Sequence, residues 1–304
     1  MNIPANAMPE SAAAQIAPVP VPPGRRMYWL VCRELWESRS VYVAPLAVAG
    51  IVLIGFFLSS FAGIWEKALR NYPPQAPHKF SDPYGLAELL VMGAAFVTAI
   101  FYCLDALHGE RRDRSILFWK SLPISDVETV LSKALIPIVV IPLLSFVITV
   151  ATQWLMLLWS SVVLLISGGD VAALWRMPWL QGALGLFYHL VAFHGLWYAP
   201  IYAWLLLASA WSRRAPFLWA GLPILAIGVI ERIAFRSSLV ANLLLHRLGG
   251  GSDGNEYTPG SALQGQMHIH LGHFLLSPGL WIGLLFAAIL LALSVRLRRS
   301  QGPL

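Results

Sequence analysis

The sequence predicts an all-α membrane protein with six transmembrane helices, an N-terminal amphipathic interface helix and a short cytoplasmic helix between spans two and three. Of its 304 residues, 58% are hydrophobic and only 12% are charged, about half the charged share of a soluble domain. Six apolar stretches reach or approach the roughly 20 residues that a helix needs to cross the hydrocarbon core. The net charge of +6 is what basic cytoplasmic loops give a membrane protein, so it does not indicate a nucleic-acid partner.

The segment between residues 27 and 40, MYWLVCRELWESRS, precedes the first span. An apolar stripe lies beside Trp29 and Trp36, and Arg33 and Glu37 form an i,i+4 pair on the other side. This pattern predicts an amphipathic helix on the inner surface of the membrane. An early turn of the first span is the alternative, although four charges in fourteen residues fit poorly in lipid.

Six spans are predicted within one transmembrane domain, which covers residues 25–300 and follows an Ala- and Pro-rich tail (1–24) that is expected to be disordered. With both termini on one side, two thirds of the Lys and Arg residues fall on that side, so both termini are predicted to be cytoplasmic. The predicted spans are 41–64, 86–107, 134–160, 183–207, 216–231 and 279–295.

A charged segment with two adjacent aromatic residues separates the second and third spans. Ser125 and Glu128 form a capping box, which predicts that the third helix begins at Ser125, and Pro123 separates it from what precedes. The preceding residues predict one short helix with an aromatic stripe, suited to docking on a cytoplasmic partner. A solvated loop with its aromatics among lipid headgroups is the alternative. The candidate partner-binding residues are Arg112, Arg114, Ser115, Phe118, Trp119, Lys120 and Leu122.

Polar residues inside the predicted spans are few. Apart from Glu88 and Asp105 near the ends of the second span and Glu231 at the end of the fifth, the spans contain no acidic residue, Lys or Arg, so the chain lacks the mid-membrane charge of an ion-coupled carrier. His189 and His194 would lie about 140° apart on an α-helix, and we therefore do not expect them to share a face. The residues that could line a pathway, or instead join helices, are Thr149, Gln153, His189 and His194.

Catalytic motifs are missing from the sequence. His268, His270 and His273 are the best metal candidates, but no acidic residue or cysteine in QMHIHLGH completes a site. HExxH, GxSxG and GxxxxGK[ST] do not occur. We therefore assign no catalytic residue, metal or cofactor to this chain, and any ATP would be hydrolysed by another polypeptide.

The stretch from Glu110 to Lys133, ERRDRSILFWKSLPISDVETVLSK, resembles the loop after the second span in permease subunits of the ABC-2 family of ATP-binding-cassette transporters. The order of features over about residues 25–300 also resembles that family. The resemblance implies an exporter subunit in the cytoplasmic membrane of a bacterium, which pairs with a second six-span permease through the first and fifth spans. It further implies two separate nucleotide-binding subunits that bind ATP and magnesium.

The resemblance also implies roles for two segments. Residues 112–122 would be the coupling helix that contacts the nucleotide-binding subunit, and 27–38 would be a second contact at the membrane surface. It implies no substrate and no substrate-binding residue. A non-transporting anchor for a cytoplasmic complex, or a membrane-embedded metallo-hydrolase that uses the three histidines of QMHIHLGH, is the alternative function.

Overall fold

The computed structural model describes residues 22–63, 83–121, 123–168, 171–249, 259 and 271–302, and every regular element in these ranges is a helix. Among the described residues, five helices are long and apolar enough to cross a membrane, and a sixth span is formed if the bent pair Trp179–Trp197 and Ala199–Trp211 counts as one. The two halves of that pair meet at 44°. The all-α prediction is confirmed over these residues, and the number and apolar character of the long helices agree with a multi-pass membrane protein, whereas the six exact spans, the interface helix and the coupling helix stay predictions. The five continuous spans are Ser40–Phe61, Pro83–Arg112, Asp126–Ile166, Pro216–Phe235 and Pro278–Ser300.

We number the α-helices along the chain. They are α1 (Pro23–Glu37), α2 (Ser40–Phe61), α3 (Pro83–Ala106), α4 (His108–Arg112), α5 (Ser115–Ser121), α6 (Asp126–Leu135), α7 (Ile141–Ile166), α8 (Val171–Trp175), α9 (Trp179–His189), α10 (Ala199–Trp211), α11 (Pro216–Phe235), α12 (Leu239–Leu248), α13 (Leu271–Leu276) and α14 (Pro278–Ser300). Two π-helical segments interrupt the spans: π1 (Ile136–Val140) joins α6 to α7, and π2 (Leu190–Trp197) lies between α9 and α10.

The centre of the bundle is α3, which packs against α2, α7 and α10, while α10 also packs along α14. Ala95, Ala99 and Cys103 are buried on one stripe of α3, at i, i+4 and i+8. Small residues at this spacing let helix backbones approach closely, which is how membrane helices associate without a hydrophobic driving force. Tyr202 and Leu206 of α10 are buried in the same core.

The two π segments pack directly against each other. Gly195 of π2 lies against π1, and a Cβ atom added at Gly195 would lie 2.8 Å from the carbonyl oxygen of Ile138. Pro137 in π1 and Pro142 in the first turn of α7 lack the N–H that an α-helix needs. The third and fourth spans therefore contact each other through irregular backbone, at a position where only glycine fits.

One end of the bundle, which we call the charged end, holds α1, α4, α5, the start of α6 and the end of α14. The predicted capping box is confirmed there: the Ser125 hydroxyl accepts from the Glu128 N–H at 3.1 Å, and the Glu128 carboxylate accepts from the Ser125 N–H at 3.0 Å. The third helix therefore begins next to Ser125, several residues before its apolar part.

Candidate functional site

A buried cluster of ion pairs lies at the charged end. Lys133 in α6 places its Nζ 3.1 and 3.0 Å from the two carboxylate oxygens of Glu34 in α1, and 3.1 Å from Glu110 Oε1 in α4. Glu34, Glu110, Lys133 and Arg298 are each no more than 4% exposed. One ammonium group thus joins α1 to α4.

Arg298, in the last turn of α14, completes this cluster. Its Nη1 donates to Glu110 Oε2, and its Nε donates to Asp126 Oδ1 at 3.0 Å. With Arg33 of α1, whose Nη2 lies 3.4 Å from Glu110 Oε1, the cluster contains three carboxylates and three cations. The cluster therefore has no net charge. Its ion pairs hold together four separate segments of the chain, namely α1, α4, α6 and α14.

The cluster is arranged so that every buried charge has a partner. Burying an unpaired ion costs several kcal/mol, which is recovered only when geometry and further hydrogen bonds are good. Glu34 contacts Lys133 and also accepts a hydrogen bond from the Tyr102 hydroxyl at 3.0 Å. Loss of one member would leave the others uncompensated. A movement of one segment must therefore move the others or break the pairing.

The short helix α5 is attached to this cluster through Arg33. The Arg33 guanidinium lies over the indole ring of Trp119, 3.5 Å from the ring centroid, and its Nη2 also donates to Glu34. Ile116 of α5 is fully buried, whereas Phe118 is 59% exposed on the opposite side. The two aromatic rings meet edge to face at 5.0 Å. The aromatic pair is thus divided: Trp119 is held by α1, and Phe118 projects outward.

Further hydrogen bonds fasten the α4 and α5 region to the ends of other helices. The Lys120 ammonium donates to the carbonyl oxygen of Gln301 at 2.8 Å. Arg111 is buried, and its Nη1 donates to the carbonyl oxygen of Ala210 at 2.8 Å. The Ser209 hydroxyl accepts from the N–H of His108 at 2.9 Å. The region is therefore fixed to α10 and to the C-terminal residues as well as to α1.

The other predicted partner-binding residues lie close by. Arg112 is exposed and pairs with Asp105 and Asp113. Arg114 is exposed and has φ +59°, a left-handed conformation that is uncommon for a residue other than glycine, at the turn between α4 and α5. The Ser115 hydroxyl approaches the carbonyl oxygen of Glu110 at 3.4 Å. Leu122 lies outside the described residues.

The helix α1 contacts the bundle through charged side chains as well as apolar ones. Arg33 and Glu37 pair at 3.5 Å as expected, and Trp29 and Trp36 are exposed. However, Arg33 and Glu34 turn toward the bundle because Lys133 and Glu110 provide buried partners for them. The buried face of α1 is therefore partly ionic, and the predicted contact of this helix with the membrane stays a prediction.

The structure brings the two histidines of the fourth span together, which corrects the expectation that they point apart. The ring centroids of His189 and His194 lie 5.6 Å apart. The reason is that residues 190–197 form the π-helix π2, where i→i+5 hydrogen bonding replaces the α-helical pattern and five residues make about one turn. His189 also stacks on Phe193 at 5.1 Å.

Both polar candidates of the third span are buried, and Gln153 contacts the second span. Thr149 is fully buried, and Gln153 places its Nε2 3.5 Å from both Glu88 Oε2 and the carbonyl oxygen of Tyr84. The Tyr84 hydroxyl in turn lies 3.0 Å from Ser160 Oγ. This buried polar group lies toward the end of α3 that is opposite the charged end. It joins helices, and whether it also lines a pathway stays a prediction.

Sequence reasoning missed Glu34, Glu110, Lys133 and Arg298 as a set. Lys133 is next to a predicted span and Arg298 follows another, and basic residues at such positions indicate only topology. Nothing in the local pattern pairs Glu34 with Lys133, which is 99 positions away. Within the described ranges, no group of three or more His, Cys, Asp or Glu side chains is placed to hold a metal ion. His268, His270 and the side chain of His273 lie outside the described part.

Comparison with protein-family models, with curated proteins and with solved structures found no match for this chain.

Proposed function

We propose that this chain is the permease subunit of an ATP-binding-cassette exporter of the ABC-2 type, which moves a substrate across the cytoplasmic membrane of a bacterium. One observation carries the proposal: α5 exposes Phe118 while its other face is held through Trp119 and Arg33 on the buried ion-pair cluster. An exposed aromatic residue on a short, firmly seated helix is suited to a groove on a partner protein.

The contacts around α5 provide a route for mechanical coupling. A displacement of α5 acts on Arg33, and through Glu34 and Glu110 on Lys133 at the start of the third span. Because breaking one buried pair is costly, the segments would move together as a rigid unit. Closure of a nucleotide-binding partner would then move the second and third spans.

The partner subunits follow from the resemblance and from what this chain lacks. ATP and magnesium would be bound by a separate nucleotide-binding subunit, since the sequence has no phosphate-binding loop. A second six-span permease would cover α2 and α11, the least buried of the five continuous spans. Phe118 with its neighbours in α5 would form the main contact, and α1 a second contact.

The experiment is a matched pair of substitutions followed by co-purification. Phe118→Ala should lower recovery of the nucleotide-binding subunit at least tenfold, because loss of an anchor of this kind costs about 2 kcal/mol or more. Phe286→Ala is the control, since Phe286 on α14 is similarly exposed (52%) but lies in the apolar part of a span. Both variants should insert normally into the membrane.

Equal recovery of the partner with Phe118→Ala and with Phe286→Ala would exclude α5 as the coupling helix. An anchor that does not transport would lose a partner in the same way. The identity of that partner separates the two functions, because only the exporter requires an ATPase.

A further inference from the structure

A groove separates α11 from α12 at the end of the bundle opposite the charged end. The two helices form a hairpin that is closed by Glu231, whose carboxylate accepts from the Ser237 hydroxyl and from the N–H groups of Leu239 and Val240 at the start of α12. A carboxylate at a helix N-terminus is favourable because it satisfies free N–H groups and opposes the helix dipole. These hydrogen bonds therefore fix the start of α12 to the end of α11, and the groove lies between the two helices.

The groove has a volume of about 470 Å³ and a wall that is almost entirely apolar. Such a volume lies within the roughly 300 to 1,000 Å³ that is usual for ligand pockets. Ile224, Leu225 and Leu244 line its inner part, whereas Arg232 and Ser238 lie near the closed end of the hairpin. Its wall is thus apolar, and Arg232 lies at its closed end beside Glu231, whose carboxylate is used in capping α12.

The depth of the groove follows from the helix rise of about 1.5 Å per residue. Because α11 begins at Pro216 near the charged end, Ile224 lies about 12 Å along the span and Arg232 about 24 Å along it. The groove therefore extends from the middle of the hydrocarbon core to its far surface. With α11 crossing the membrane, the medium around its apolar part would be lipid and not water.

Two arginines, Arg232 and Arg236, lie near the closed end of the hairpin. Neither Arg232 nor Arg236 pairs with an acidic side chain among the residues that the structure describes, and the nearby Glu231 already caps α12. Basic residues are normally concentrated on the cytoplasmic side, so arginines at the other end call for another explanation. Arginine binds phosphate groups well because its guanidinium donates two parallel hydrogen bonds.

We propose that this groove binds one anionic phospholipid of the outer leaflet, with an acyl chain between α11 and α12 and its phosphate at Arg232. The groove is apolar at mid-membrane and ends at Arg232 near the surface, and such a lipid is likewise apolar along its acyl chains and charged at its phosphate. The proposal depends on the membrane-spanning fold, and it holds whether or not the chain pairs with an ATPase.

The test uses the full-length protein in nanodiscs that contain equal amounts of phosphatidylglycerol and phosphatidylcholine, followed by native mass spectrometry of the released protein. The wild type should retain phosphatidylglycerol in preference to phosphatidylcholine by about tenfold, the worth of one charge-assisted contact. Arg232→Gln should abolish that preference, and Leu225→Trp should remove the retained lipid by filling the groove. Arg214→Gln is the control, since Arg214 is an exposed arginine at the charged end.

Unchanged retention of phosphatidylglycerol in both Arg232→Gln and Leu225→Trp would overturn the proposal. So would disulfide cross-linking of two copies through Leu225→Cys combined with the absence of retained lipid, because the second permease proposed at α11 would then itself fill the groove. Both substituted positions are exposed in the single chain, so the variants should retain the thermal stability of the wild type.

Discussion

Lys133 is the residue that most directly links the buried charges, since its ammonium contacts both Glu34 and Glu110. Lys133→Met keeps a similar side-chain volume but leaves two carboxylates close together without their shared cation. We expect it to lower the free energy of unfolding by about 3 to 5 kcal/mol, the usual effect of removing one partner from a buried pair. Thermal unfolding in mild detergent measures the loss.

Arg112→Met is the matched control for Lys133→Met. Arg112 pairs only at the exposed surface, with Asp105 and Asp113, so its loss should change the stability by no more than about 1 kcal/mol. Adding Glu34→Gln to Lys133→Met should restore part of the stability, because it removes one of the two uncompensated charges. Similar effects of Lys133→Met and Arg112→Met would show that the buried cluster does not hold these segments together.

At the scale of elements, the contact between π1 and π2 sets how closely the third and fourth spans approach. Gly195→Ala places a methyl group 2.8 Å from the Ile138 carbonyl oxygen, and backbone cannot move aside as a flexible side chain would. We expect a loss of about 1 to 3 kcal/mol, typical of overpacking, in thermal unfolding. Gly93→Ala in α3 meets nothing within 4 Å and should be neutral or slightly stabilising, since alanine favours helix. An equally stable Gly195→Ala variant would contradict the close backbone contact.

The predictable elements are those whose signal is local. The capping box at Ser125 and Glu128 carries its own hydrogen-bond pattern, and the apolar runs carry their own length, so the start of α6 and the presence of several spans followed from the sequence. The proximity of His189 and His194 did not, because it depends on π2, and a π-helix has no apolar period that an α-helical reading would detect. The pairing of Glu34 with Lys133 depends on how distant helices pack, which a single sequence does not reveal.

At the scale of the whole molecule, the excess of basic residues predicts that the charged end faces the cytoplasm. Single cysteines can test this orientation in a Cys32→Ser background, since the remaining Cys103 is buried. A membrane-impermeant maleimide should label Arg236→Cys in intact cells and Ser121→Cys only after permeabilisation. Both positions are exposed and lie at opposite ends of the bundle. The reverse labelling pattern would place α5 outside the cell and exclude its role in ATP coupling.

The central claim is that this chain works as one membrane subunit of a larger ATP-driven assembly. The most direct measurement is the intact mass and composition of the complex purified from its native membrane in mild detergent. We predict two six-span subunits together with two copies of a nucleotide-binding subunit that hydrolyses ATP, and loss of the nucleotide-binding subunits in Phe118→Ala. A stable complex that contains this chain and no ATPase would contradict the claim.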